Sequence, residues 1–423
     1  MNITDIKPEN GLSLRWAVLF VYALLLPQQL FFTALDFVVF PYRLILICML
    51  PGIVSAYMSR KVRATFADLV VLTTIVWIFL SLSITIGLEK AIANGGASLL
   101  DVGVSYFAAR CTITSTQRAR VLLVRLGPAF LLAGMCVIFE TLSGQYLLQP
   151  FMAKMLGVNL QSALFASVND RLGLIRGTGP FSHPILGGLQ LASILPLFLL
   201  AKIKFAPRMI GIMAAACSLG TVSSSAVIAL FLAGGLVGYE YLGAQLNFLR
   251  WRTLVVGTAL IATGLQLMTQ GGIVGIVVNF MTLDKWTAYY RTLVWKYGVM
   301  NVAMHPLFGL GSQDWLRPAW MPGSIDNYWL YIAMSYGVPE ALLRISLPVI
   351  VAFTAGWGMA ALNRSDRRVL LSYSITIIIL TLMAFTVSYW GITQAWYYFL
   401  IGTTLSLAQA GHRFPETAGT GAS

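Results

Sequence analysis

What most limits how this chain can fold is its succession of unbroken apolar runs, each close to the ~20 residues a helix needs to cross a bilayer. A transmembrane barrel would need short alternating segments instead, and these runs are continuous. Only 10% of the 423 residues are charged, 58% are hydrophobic, and the mean hydropathy is +0.79. Water would not wet a soluble domain of that composition. The sequence therefore predicts an all-α, polytopic integral membrane protein. Twelve spans are expected, near residues 14–35, 42–58, 66–88, 91–111, 121–140, 184–201, 209–222, 225–242, 253–269, 327–357, 369–388 and 392–408. The fourth is diluted by Gly95, Gly96, Ser98 and Asp101. The tenth is long enough to bend, with Gly337-Val338-Pro339 as the expected break.

The net charge of +13 would suggest nucleic acid in a soluble protein, but here it follows membrane orientation. The linkers bearing Arg60/Lys61/Arg63, Arg110/Arg118/Arg120, Lys202/Lys204/Arg208, Arg250/Arg252 and Arg364/Arg367/Arg368 alternate with the spans. With Lys7, Arg15, Arg125 and Arg413, eighteen of the 28 basic residues fall on one side. The positive-inside rule then puts both termini in the cytoplasm and no nucleic acid among the partners. Residues 1–410 read as a single membrane domain with two long outer loops, 141–183 and 270–326, and residues 411–423 as a disordered cytoplasmic tail. The polar, mixed-charge first ten residues show no cleavable leader pattern. Cys48, Cys111, Cys136 and Cys217 sit in or at the end of apolar runs, so neither disulfide nor metal site is expected.

Both outer loops mix charge with aromatics, glycine and proline. In the second, a helix is expected from about Asp284 to Met304, stopped by Pro306. Arg291 and Trp295, four apart, share a face, a cation beside a wide aromatic plate. The alternative is an amphipathic helix lying on the membrane. The first loop ends in NDRLGLIRGTGPFSHPILGG. Gly177 and Gly179 would let backbone approach a ligand, and Pro180 and Pro184 would fix the turn and the helix start. Arg176 would stand at the mouth of a helix N-terminus, a place that favours anions. The alternative is a re-entrant turn with its arginine on a lipid phosphate.

Arg176-x-x-Gly179-x-Phe181-x-x-Pro184 resembles the signature of the O-antigen ligase/polymerase (Wzy-type) superfamily of bacterial membrane glycosyltransferases. Ser223-Ser224-Ser225 is similar to that family's serine-rich stretch. Arg291-x-x-x-Trp295, followed by Pro306-Leu307-Phe308-Gly309-Leu310-Gly311, is similar to its large outer loop. Asp326-Asn327-x-x-Leu330 and Gly337 resemble the start of the following span. The resemblance covers roughly residues 171–337 in motif and the whole chain in topology.

The resemblance implies a glycosyltransferase C-type architecture in the bacterial inner membrane, with periplasmic loops. It implies transfer of a glycan from a polyprenyl diphosphate to an acceptor hydroxyl at the periplasmic face, with no cofactor and no metal. A flippase, a chain-length regulator and membrane lipid would be its partners. A diphosphate leaving group gains charge in the transition state, which preorganised arginines stabilise. Arg176 and Arg291 are assigned to that role, with Arg171 as a third cation. Trp286, Tyr289, Trp295 and Trp315 are candidate sugar platforms, or else belt and core residues. Family ligases carry a histidine near the position of Asp326, so its absence favours a polymerase, with Asp326 as the base or as a helix cap. His183 and His305 are candidate substrate contacts or structural residues. Arg43 is a candidate phosphate contact. Asp101 is costly inside a span, roughly 2.5–3.5 kcal/mol, and Ser98, Ser105 or Tyr106 could satisfy it. Glu340 and Arg344 are spaced to pair. The rival readings are a ligase that uses lipid A core and, in another class, a transporter, which would show paired broken helices and an inverted repeat.

Overall fold

A computed structural model describes residues 11–34, 37–157, 170–171, 173–246, 251–268 and 285–410. The chain is a helical, multi-pass membrane protein. Among the described residues six helices are long and apolar enough to cross a membrane: α2 (Pro41–Met58), α3 (Phe66–Ile86), α6 (Thr116–Ser143), α11 (Ser224–Gly243), α12 (Trp251–Met268) and α15 (Val338–Ala361). Shorter apolar pieces are α1 (Leu14–Leu24), the pair α8 (Pro184–Ser193) and α9 (Leu195–Leu200), and α10 (Phe205–Ala216) with a 3₁₀ turn, Cys217–Thr221. The last two helices, α16 (Arg364–Met383) and α17 (Gly391–Ala410), are buried nearly all round and form the centre of the bundle. Facing protein rather than lipid, they carry more hydroxyls than the outer helices.

Several expected spans are shorter or interrupted. The first stops at Leu24, ahead of Pro27, and the chain turns through a small hairpin, β1 (Phe32–Ala34) with β2 (Phe37–Val39). The fourth is three pieces: α4 (Leu88–Ser98), a π-helical turn (Leu99–Val104) and α5 (Ser105–Thr112). The sixth is interrupted at Ile194, just before Pro196. The tenth breaks at Gly337, as expected, into α14 (Tyr328–Tyr336) and α15. Gly337 has φ +87°, and a Cβ there would sit 1.9 Å from the Leu307 carbonyl oxygen. Only glycine fits.

Three pairs neutralise much of the buried charge among the described residues. Arg43 clasps Asp101 with two bonds, at 2.9 and 2.6 Å, and Tyr42 donates to the same carboxylate at 3.0 Å. The expected partners of Asp101 do other work: Ser105 donates to the Asp101 carbonyl and Tyr106 to Asp68. Arg43 is thus held by Asp101 and the Val38 carbonyl, not spread toward a lipid phosphate. Arg110, expected in a basic linker, is buried and bonds Asp68 at 3.1 and 3.2 Å. Glu340 and Arg344 pair at 2.6 Å, as their spacing predicts. Replacing one partner of such a pair strands the other charge in a medium that cannot solvate it.

Candidate functional site

The first outer loop is built against α6. Glu140, near the end of α6, is 1% exposed. Its Oε2 accepts from the backbone N–H of Thr178 (2.9 Å) and Gly179 (2.8 Å) and from the Thr178 hydroxyl (3.2 Å). Its Oε1 accepts from the N–H of Leu147 and Leu148, both at 3.2 Å, at the start of α7 (Leu148–Leu156). Gly177 donates to the Thr141 hydroxyl at 3.1 Å and to the Gly220 carbonyl at 3.2 Å. Gln149 donates to the Gly179 carbonyl from the other side. Loops carry backbone polar groups that need partners when buried, and here one carboxylate supplies most of them.

This corrects the expected role of the glycines. A Cβ on Gly177 would lie 2.2 Å from the Val137 carbonyl, and one on Gly179 would lie 2.9 Å from the Val137 side chain. Both let the loop approach α6, not a ligand. The Arg176 Nε–H donates to the Thr221 carbonyl at 3.3 Å, while its Nη2 is buried with no partner among the described residues.

Arg176 lines a cavity of about 660 Å³ together with His183 and Asp326. The walls come from the end of the first loop with the start of α8, residues 323–326 of the second loop with Tyr331 of α14, and the turn from Thr386 to Trp390 joining α16 to α17. Burial, then the neighbouring Arg171, pulls the Arg176 pKa down to about 10. An unpaired, half-desolvated guanidinium of this kind is set to bind an anion. Arg171, on a two-residue hairpin (β3, Asp170–Arg171, with β4, Leu174–Ile175), is held at Ser224 Oγ at 3.1 Å. That hydroxyl belongs to the serine-rich stretch.

Arg291 lies on α13 (Lys285–Met304), stopped before Pro306 as expected. It is buried and stands behind the cavity wall, donating to the carbonyl of the wall residue Thr386 at 3.1 Å. Burial holds its pKa below the usual range; Asp326 counteracts this and Arg171 adds to it. Burial raises the Asp326 pKa, and Arg291 restrains the rise. Asp326 is not the helix cap. Asn327 takes that place, accepting from the Leu330 N–H at 2.9 Å, which leaves the Asp326 carboxylate facing the cavity. His183 does cap: its Nδ1 accepts from the Ile185 N–H at 3.2 Å, so the neutral ring keeps Nε2–H as a donor. Burial, then Arg176, lowers its pKa to about 4.

The neutral cap has a measurable consequence. A histidine with pKa 6.5 unfolded and about 4 folded gives stability that is complete above pH 6.5 and lost as the pH falls toward 4. Thermal melts of the purified protein should show that loss, and His183→Asn, which caps without titrating, should flatten it.

Other candidates lie elsewhere. Trp295 packs in a satellite core with Val294, Trp315 and Met321, away from the cavity lining. Trp315 donates its indole N–H to the Gly323 carbonyl at 3.1 Å, a core role. Tyr289 is exposed, and the side chain of Trp286 lies outside the described residues. His305 is exposed at the end of α13 and does not line the cavity. The Pro306–Gly311 motif is a backbone clasp: Leu310 and Gly311 donate to the carbonyls of Met334 and Ser335, and Val338 donates to Pro306. Glu140 was not singled out from sequence, although an acid closing an apolar run calls for donors. No protein-family model matches this chain, and no curated protein matches it significantly.

Proposed function

We propose that this protein is a metal-independent glycosyltransferase that polymerises a surface polysaccharide from polyprenyl-diphosphate-linked repeat units. In this reading it has twelve spans, cytoplasmic termini and a periplasmic site in a bacterial inner membrane. The observation that carries the reading is the cavity lined by both Arg176, whose Nη2 has no partner among the described residues, and Asp326, beside an N-capping neutral histidine. Arg176, with Arg171 behind it, takes the diphosphate oxygens. Asp326 accepts the proton of the acceptor hydroxyl as its oxygen bonds the anomeric carbon. The bond from that carbon to the diphosphate breaks, and the electron pair leaves with the lipid diphosphate. Charge then grows where the arginines stand. Arg291 keeps Asp326 ionised enough to act as a base. Arg43 has no part in this, since Asp101 holds it.

Deletion of the protein should leave single repeat units on the lipid carrier and no long chains, read by mass analysis of carrier-linked glycans. Long carrier-linked chains would instead make it a ligase. In purified protein, Asp326→Asn should slow elongation and remove the acid limb of the pH–rate profile, because Asn accepts no proton. An unchanged profile would strip Asp326 of the base role. A transporter is the second reading, favoured by the interruptions at residues 99–104 and 337. Movement of a lipid-linked glycan across sealed vesicles, persisting in Asp326→Asn, would support it.

A further inference from the structure

A second site lies at the other end of the bundle. The cavity sits at the C-terminal end of α16, whose 20 residues span ~30 Å, a bilayer core. At its N-terminal end, Arg364, Arg367 and Arg368 join Arg252, from the start of α12, around a pocket of about 520 Å³. One carboxylate, Glu240, also lines this pocket, and it accepts from the Trp251 indole at 2.8 Å. None of the four arginines has an ion-pair partner among the described residues, whereas Asp366, in the same first turn of α16, is taken by Arg120 at 2.8 Å. Three cations among the first five residues of a helix also oppose its dipole, and a bound anion would relieve that.

The pocket continues into apolar space. Trp251, Arg252 and Arg367 are shared with a second cavity of about 590 Å³ running between α15 and α16. That one shares Ala352 and Phe353 with a third, of about 720 Å³, which is almost wholly apolar. α12 borders this groove, and Phe353 and Trp357 are exposed on α15. A cationic mouth at the membrane edge leading into an apolar channel along the span matches a two-part ligand, anionic head and acyl tail. We propose that this groove binds an anionic phospholipid, head group on the arginines and chain between α12, α15 and α16. The site is independent of glycosyl transfer.

The test is lipid retention by the purified full chain, measured by native mass spectrometry after incubation with vesicles of phosphatidylcholine with or without phosphatidylglycerol. The intact protein should retain phosphatidylglycerol over phosphatidylcholine. Arg364→Gln/Arg367→Gln/Arg368→Gln should lower that retention on the order of tenfold to a hundredfold. Arg60→Gln/Lys61→Gln/Arg63→Gln removes the same charge from another linker and should leave retention intact. Ala352→Trp, which narrows the groove without changing charge, should also lower it. If the triple variant is unstable, the exposed Arg364→Gln alone should show a smaller loss of the same sign. Equal loss in the Arg60 control would reduce the effect to general basic charge and overturn the site. Full displacement by inorganic phosphate, with Ala352→Trp unaffected, would make it a free-anion site and overturn the lipid reading.

Discussion

Arg176→Ala should cut glycan transfer by about 100- to 1,000-fold, the usual cost of removing one preorganised donor to a developing negative charge. Its abundance and thermal stability should stay level or rise, because the lost group is a desolvated cation with an unpartnered Nη2. Lysine should recover little, since one ammonium cannot reproduce the planar two-point grip. Arg291→Ala should behave differently. Arg291 stands behind the wall and restrains the Asp326 pKa, so its loss lets that pKa climb. Activity should fall at neutral pH and return in part as the pH is raised. Rates of lipid-linked elongation across a pH series separate the two roles. Full activity in Arg176→Ala would leave the phosphate-binding proposal with nothing to stand on.

Glu140→Ala should lose both activity and stability. Four backbone N–H groups, of Leu147, Leu148, Thr178 and Gly179, would keep their burial and lose their acceptor. At roughly 1–3 kcal/mol for each donor left unmet, partly relieved by water, the loss should reach about 4 kcal/mol. Glu140→Gln should be intermediate. Its amide oxygen can serve one pair of donors, while its NH₂ faces the other pair. Thermal melts beside transfer rates distinguish this brace from Arg176, whose replacement should leave the melt in place. A Glu140→Ala protein with normal stability would mean that the loop holds its shape by other means.

What the sequence made legible was local or periodic. The apolar runs, the helix ended by Pro306, the break at Gly337 and the Glu340–Arg344 pair all follow from spacing within one or two turns. Arg171 and Arg176 stood out as charges in a glycine- and proline-rich outer loop and Asp326 through the family resemblance, and Arg176 and Asp326 line one cavity. What stayed hidden depends on contacts between distant segments. Glu140 meets Thr178 across 38 positions, and Arg43 meets Asp101 across 58. No periodicity reports such a meeting. The loop glycines were legible as special, but not which neighbour required them. The Pro306–Gly311 motif was legible as part of an outer loop, but not its backbone clasp on the α14–α15 junction.

The buried pairs set an order on biogenesis. α2 carries Arg43 and α3 carries Asp68, and each leaves the ribosome before its counter-charge on the α4–α5 segment. Until Asp101 and Arg110 arrive, two early helices hold a naked charge that lipid accepts only at a cost of a few kcal/mol. Their settled integration therefore waits on the fourth apolar segment, and the insertion machinery must shelter them meanwhile. Arg344 has no such delay, because Glu340 precedes it by one turn of the same helix. A nascent chain stalled before residue 101 would present quality-control proteases with two unneutralised helices; one stalled after the α4–α5 segment has left the ribosomal exit tunnel would present neither.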